Sequence, residues 1–426
     1  MEQDVTHTIA RLVVQLGVIL VVAKLAGEVA ERWLKVPAVL GELGAGILIG
    51  PYALGGVGLG PLPPLFGQVV AGQLPVSVEL YVVAQIAAVV LLFVAGLQTH
   101  FALLLRYAAP AGAVAAGGVL LPFAFGVVAT VLFAPALFNE RIGLTDPRAL
   151  FMGAVMTATS VGITARVLSD LHRLGSPEGV TILGAAVIDD VLGILVLTVV
   201  VGMSVSGSVS AAEIAGVGAK AVGFWLALTG ISLALGSYVA KLLGAFRVAG
   251  AGVALALALA LLAAGLAERF GLAMIIGAYS VGLGLSRTSL RHNLEHGLMG
   301  VYHFIVPVFF AVMGMLVDVR AVGGAIVFGL VITALAIVGK LAGSGLPALA
   351  VGFTPRGAWR IGVGMLPRGE VALIIAGVGL SRGVIGQDLF GVAILMTVIT
   401  TVLAPLLLVP AFKGGSGRRH PEGTAS

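Results

Sequence analysis

Cysteine does not occur in this chain, and charge is scarce. The first absence excludes disulfides and thiolate metal sites. The second excludes more. Asp, Glu, Lys and Arg make up 10% of the 426 residues, against roughly 25% in a soluble domain. A water-soluble protein of this length cannot cover its surface with so few charges. What is present is apolar: hydrophobic residues are 59% of the chain, and glycine, at 62 residues, has about double its usual share of roughly 7%. The composition implies a polytopic, all-α integral membrane protein whose helices approach closely through glycine. The net charge of +5 does not indicate nucleic acid, because Lys and Arg are spread over short loops. No nucleophile–base arrangement or metal cluster is apparent, so neither an enzyme nor a cofactor is expected.

About 20 apolar residues cross a bilayer. Thirteen such spans can be drawn, near 8–26, 36–54, 76–98, 109–134, 149–170, 180–204, 215–240, 248–268, 271–286, 300–317, 322–346, 358–381 and 387–411. The longest connection, near 55–75, is rich in Gly and Pro and carries no charge. Residues 413–426 form a polar tail too short for a soluble domain, and no cleavable signal peptide is evident at the start. Alternate loops differ in basic residues. Fifteen Lys and Arg, among them Lys24, Arg106, Arg173, Arg247, Arg287 and Lys413, fall on one side and seven on the other. The richer side is expected to be cytoplasmic, with the N-terminus outside and the C-terminus inside.

Four acidic residues, Glu42, Asp189, Asp190 and Glu370, fall inside spans, where an ionisable group is costly and points to function. Asp189 and Asp190 interrupt the run GAAVIDDVLGILVLTVV near the middle of the sixth span. Adjacent helical residues are about 100° apart, so one carboxylate can face a cation while the other faces a cavity. Lys340, in ALAIVGKLAGSG of the eleventh span, is the expected counter-charge. Two spans read as broken. The fifth has Thr157, Thr159, Ser160 and Gly162 clustered in TATSVGITARV, and the twelfth has Gly362, Gly364, Pro367 and Gly369 in GVGMLPRGEVAL. Interrupted helices at the midplane mark inverted-repeat transporters, and their freed carbonyls and hydroxyls can coordinate an ion. Spans 4–6 and 11–13, each with its broken member in the middle, form such a repeat. Arg368 and Glu370 flank the second break. Glu42 stands equally well as a structural or a functional group.

On these residues the chain resembles the NapA-type bacterial sodium/proton antiporters of the cation:proton antiporter-2 group. The resemblance covers nearly the whole chain and is carried by VLGELGAGILIGP, LLFVAGLQTHF, ATSVGITARVL, ILGAAVIDDVLG and VGMLPRGEVALI. It implies the NhaA-like antiporter fold with two crossed, broken helices, and a homodimer. It also implies a division of the chain. Residues 1–103 and 248–320 are scaffold and dimerisation helices, 104–204 and 321–412 the halves of a transport core, and 205–247 a linker helix. Asp190 is then the cation ligand, Asp189 the partner of Lys340, Thr159 and Ser160 polar residues of the ion site, and Arg368 and Glu370 the charged pair of the second break. Gln98 departs from the pattern, which commonly has a glutamate there. The implied activity is electrogenic exchange of intracellular Na⁺ or Li⁺ for external H⁺. Exchange of K⁺ for H⁺ is the alternative, and an organic-anion symporter on the same scaffold would leave the Asp-Asp-Lys set unexplained.

Overall fold

A computed structural model of the chain describes residues 2–34, 36–58, 64–66, 75–99, 101–206, 211–270, 272–318 and 325–413. Among them there are α-helices and no extended strand. In chain order the helices are α1 Glu2–Val29, α2 Ala38–Ile49, α3 Val78–Gln98, α4 Phe101–Arg106, α5 Ala108–Phe138, α6 Pro147–Thr157, α7 Val161–Asp170 and α8 Pro177–Ser206. They continue with α9 Ala211–Ala245, α10 Ala251–Arg269, α11 Met274–Leu285, α12 Arg291–Met315, α13 Ile326–Ala350, α14 Pro355–Gly364, α15 Glu370–Ser381 and α16 Gln387–Ala411.

Eleven segments of the described chain are long and apolar enough to cross a membrane, with α6 and α7 taken together as one. The other two expected spans are present in different form. α11 has 12 residues, and the twelfth span is split into α14 and α15. α12 begins at Arg291, well before the apolar stretch near 300, because nothing in RHNLEHGLMG stops a helix and its first turns carry the polar residues. Most of the loop near 55–75, and the tail beyond Lys413, lie outside the described residues.

Glycine sets the packing, and its close approaches recur. A Cβ on Gly41 of α2 would strike the Ala26 carbonyl of α1; five residues on, one on Gly46 would strike the Ala311 carbonyl of α12. The same pair of contacts appears on α11, where Gly277 meets the Ala263 carbonyl of α10 and Gly282 meets the Phe93 carbonyl of α3. The unit α1–α2–α12 is thus mirrored by α10–α11–α3. Gly117 of α5 and Gly343 of α13 likewise face one another where these two helices pack. A second buried apolar cluster draws on α5, α6, α8, α13, α15 and α16, and it encloses the two helix breaks from one side.

Candidate ion site

The two broken helices meet at their breaks. α6 ends at Thr157, and Ala158 and Ser160 are extended before α7 starts at Val161. Asp146 caps the start of α6, accepting from the Arg148 amide at 2.9 Å. α14 ends at Gly364, and Met365–Gly369 is non-helical up to α15. Pro367 cannot donate a hydrogen bond and Gly369 adopts φ −151°, ψ −139°, so the sequence stops the helix there. The freed backbone groups pair across the crossing. The Ser160 amide donates to the Pro367 carbonyl at 2.7 Å, and the Thr164 hydroxyl donates to the Gly364 carbonyl at 2.7 Å. The Arg368 guanidinium donates to the Ala158 carbonyl, placing positive charge at the C-terminal end of α6. Thr401 of α16 donates to the Arg368 carbonyl. Gly369 lies so close to Ser160 that a Cβ would stand 2.8 Å from its hydroxyl.

The aspartate pair lies beside this crossing. Lys340 Nζ donates to Asp189 Oδ1 at 3.1 Å, with side chains 0% and 1% exposed. The Thr159 hydroxyl is within hydrogen-bond reach of the Asp189 carboxylate and stands 3.5 Å from the Met365 carbonyl. Asp190 is turned away, buried, and borders a cavity of about 10 Å³ walled by Leu92 of α3, Val161 of α7, Leu183 and Val187 of α8, and Ile275, Ile276 and Tyr279 of α11. One carboxylate is therefore tied to a cation within the helix bundle. The other faces the seam between α7–α8 and α3–α11. Ser160 is also buried, and its hydroxyl has no hydrogen-bond partner among the described residues. It borders a different small cavity, with Arg368, Thr397 and Thr401. Arg368 is fully buried. The Glu370 side chain lies outside the described residues.

Other functional candidates are plain only in three dimensions. Thr164, which the sequence cluster of Thr157, Thr159, Ser160 and Gly162 does not include, joins the crossing. Arg166 and Arg360, two of the fifteen basic residues on the richer side, are buried. Arg166 sits near Glu42, and Arg360 Nη1 pairs with Glu178 Oε1 at 2.6 Å. Gln98 accepts from the Ser169 hydroxyl at 3.0 Å at the ends of α3 and α7. In the sequence Arg166 stands near the polar end of α7, which is where an ordinary exposed arginine is expected.

The family profile described as sodium/hydrogen exchanger, transmembrane, matches residues 17–414. The chain is 34% identical to the high-affinity Na⁺/H⁺ antiporter NhaS3 of Synechocystis, over 97% of this chain and 92% of that protein. It is 34% identical to the Na⁺/H⁺-K⁺ antiporter GerN of Bacillus cereus, over 93% and 95% of the two chains. Its fold is similar to that of the sodium proton antiporter MjNhaP1 from Methanocaldococcus jannaschii, with a TM-score of 0.65 at 19% identity, covering 95% of this chain and 99% of that one.

Proposed function

The chain belongs to the sodium/hydrogen exchanger family, and on that premise we propose that it exchanges intracellular Na⁺ (or Li⁺) for external H⁺ by alternating access. The observation that carries this reading is the buried Asp189–Lys340 pair with Asp190 beside it, facing a small cavity at the seam between helix groups. Deprotonated Asp190 binds the cation, with neutral oxygens near the break, Thr159 and Ser160 among them, completing its shell. Protonated Asp190 carries H⁺ in its place. Both loaded forms cross the barrier, whereas the empty carboxylate is costly to move through it, and that difference couples the two flows. When Na⁺ occupies the site, the Asp189–Lys340 contact opens and Lys340 releases its proton. Two protons are then exchanged per Na⁺, and one net charge moves in each cycle.

In this reading α5–α8 and α13–α16 form the moving transport core, α1–α3 and α10–α12 the scaffold, and α9 the linker. The chain works as a homodimer in the cell membrane, N-terminus outside. Arg368, with Glu370, neutralises the helix ends at the crossing. A role for K⁺ has one specific support: a relative of 34% identity is named as a Na⁺/H⁺-K⁺ antiporter. Counterflow in proteoliposomes holding the purified protein, scanned over Na⁺, Li⁺ and K⁺, tests the proposal. Proton movement driven by Na⁺ or Li⁺ is expected; movement driven by K⁺ alone would transfer the reading to K⁺/H⁺ exchange, and movement driven by none would refute it.

A further inference from the structure

Away from the crossing, a buried group of charges spans helices that the proposed cycle requires to move past one another. Arg166 Nη2 of α7 lies 3.9 Å from Glu42 Oε1 of α2, with side chains 6% and 2% exposed. The Arg166 guanidinium also stands over the Tyr302 ring of α12, 5.3 Å from its centroid. Among the described residues the second Glu42 oxygen and Arg166 Nη1 are buried without hydrogen-bond partners, so the contact across the seam is long and incomplete. Each charge has a second partner on its own side. Arg166 Nε donates to Asp170, one turn along α7, at 2.9 Å. Glu42 has Lys24 of α1 at 4.0 Å, and α1 packs against α2.

Separating a buried ion pair ordinarily strands two bare charges, which is strongly unfavourable. Here separation strands neither. Asp170 travels with Arg166 on α7, and Lys24 remains with Glu42 on the α1–α2 pair. We propose that Glu42–Arg166 is a latch built to be broken and remade, with Glu42 a positioning residue that holds α7 against the scaffold in the arrangement seen here. Lys24 and Asp170 take over the two charges when the latch opens. This rests on the reading above, in which α7 moves relative to α1–α3 and α12.

The arrangement dictates opposite signs. Loss of Glu42 removes the latch. Loss of Lys24 or Asp170 leaves the latch as the remaining neutralisation for one charge, so it opens less readily. A cluster that only held the fold together would give the same sign for all three.

The absence of cysteine makes the test direct, since Gln98→Cys introduces the sole thiol. Gln98 borders a surface cleft of about 430 Å³ with Ser169, Arg173 and Arg291, at the ends of α3, α7 and α12. Gln98 is half-buried and bonded to Ser169 of α7, so the rate at which a maleimide labels this thiol in the purified full-length protein reports how often α7 leaves the present arrangement. Glu42→Gln is expected to raise that rate by about threefold or more. Lys24→Met and Asp170→Asn are expected to lower it and to lower the turnover of exchange with the KM for Na⁺ unchanged. Should Glu42→Gln not accumulate, Arg166→Gln opens the same contact with the same expected sign. An unchanged rate in these latch variants, or a change in the same direction for Glu42→Gln and Asp170→Asn, would overturn the latch. Wild-type protein that exchanges no cation would instead defeat the reading of function, while labelling, which needs no transport, still decides about the latch.

Discussion

Asp189 and Lys340 are 3.1 Å apart and shut off from solvent. Stability alone is a poor reason for such a pair, since apolar residues of similar volume often serve as well. Breaking it from one side is another matter. Lys340→Ala is expected to destabilise the protein by roughly 3–5 kcal/mol, and Asp189→Asn in the same chain to restore part of the loss. Thermal melting of the two single variants and the double variant measures this, and additive losses would mean that the pair does not interact. Both residues were legible in the sequence because a charge within an unbroken apolar run has nowhere to hide. Arg166 and Arg360 were not. Each lies within two turns of a polar helix end, so nothing local distinguishes a buried guanidinium from one that reaches water. Only packing by α2 and α12 around the first, and by Glu178 and Phe412 around the second, shows the difference.

The helices and their breaks were readable for physical reasons: hydrophobic length gives the spans, and Pro367 and Gly369 forbid continuous hydrogen bonding. That α5 packs on α13 was not readable, because small residues permit close approach anywhere on a surface. Gly117 and Gly343 acquire meaning only once α5 lies on α13. A side chain at 117 must push against the Gly343 backbone, one turn from Lys340. Gly117→Val is therefore expected to destabilise by about 1–3 kcal/mol and to impair exchange. Gly112→Val on the same helix, where a Cβ meets nothing within 4 Å, is expected to do neither. Melting and transport of both variants check the contrast. The start of α6 offers a prediction on pH. Hydrogen bonds from the Arg148 side chain hold the Asp146 carboxyl below its ordinary range. A depressed carboxylate adds stability above its unfolded pKa and loses it as pH falls through its folded one. Asp146→Ala is thus expected to cost about 1 kcal/mol near neutral pH, measured by melting against wild type, with the difference closing in acid.

For the molecule as a whole, the account predicts a response to voltage. A single aspartate exchanging one H⁺ for one Na⁺ moves no net charge; two protons per Na⁺ move one. Membrane potential then contributes about 2.3 kcal/mol per charge per 100 mV. Na⁺ uptake into proteoliposomes under an imposed K⁺/valinomycin potential, at equal pH on both sides, is expected to reverse preference with the sign of the potential. Indifference to that sign would remove the two-proton step and leave antiport standing. All of this depends on Asp190 carrying the ion. Na⁺-dependent proton release from proteoliposomes, compared between wild type and Asp190→Asn with the variant shown to be folded by its melting curve, addresses that dependence without intermediaries. The account predicts robust release from wild type and none above the empty-liposome background from the variant; near-normal release from folded Asp190→Asn would contradict it.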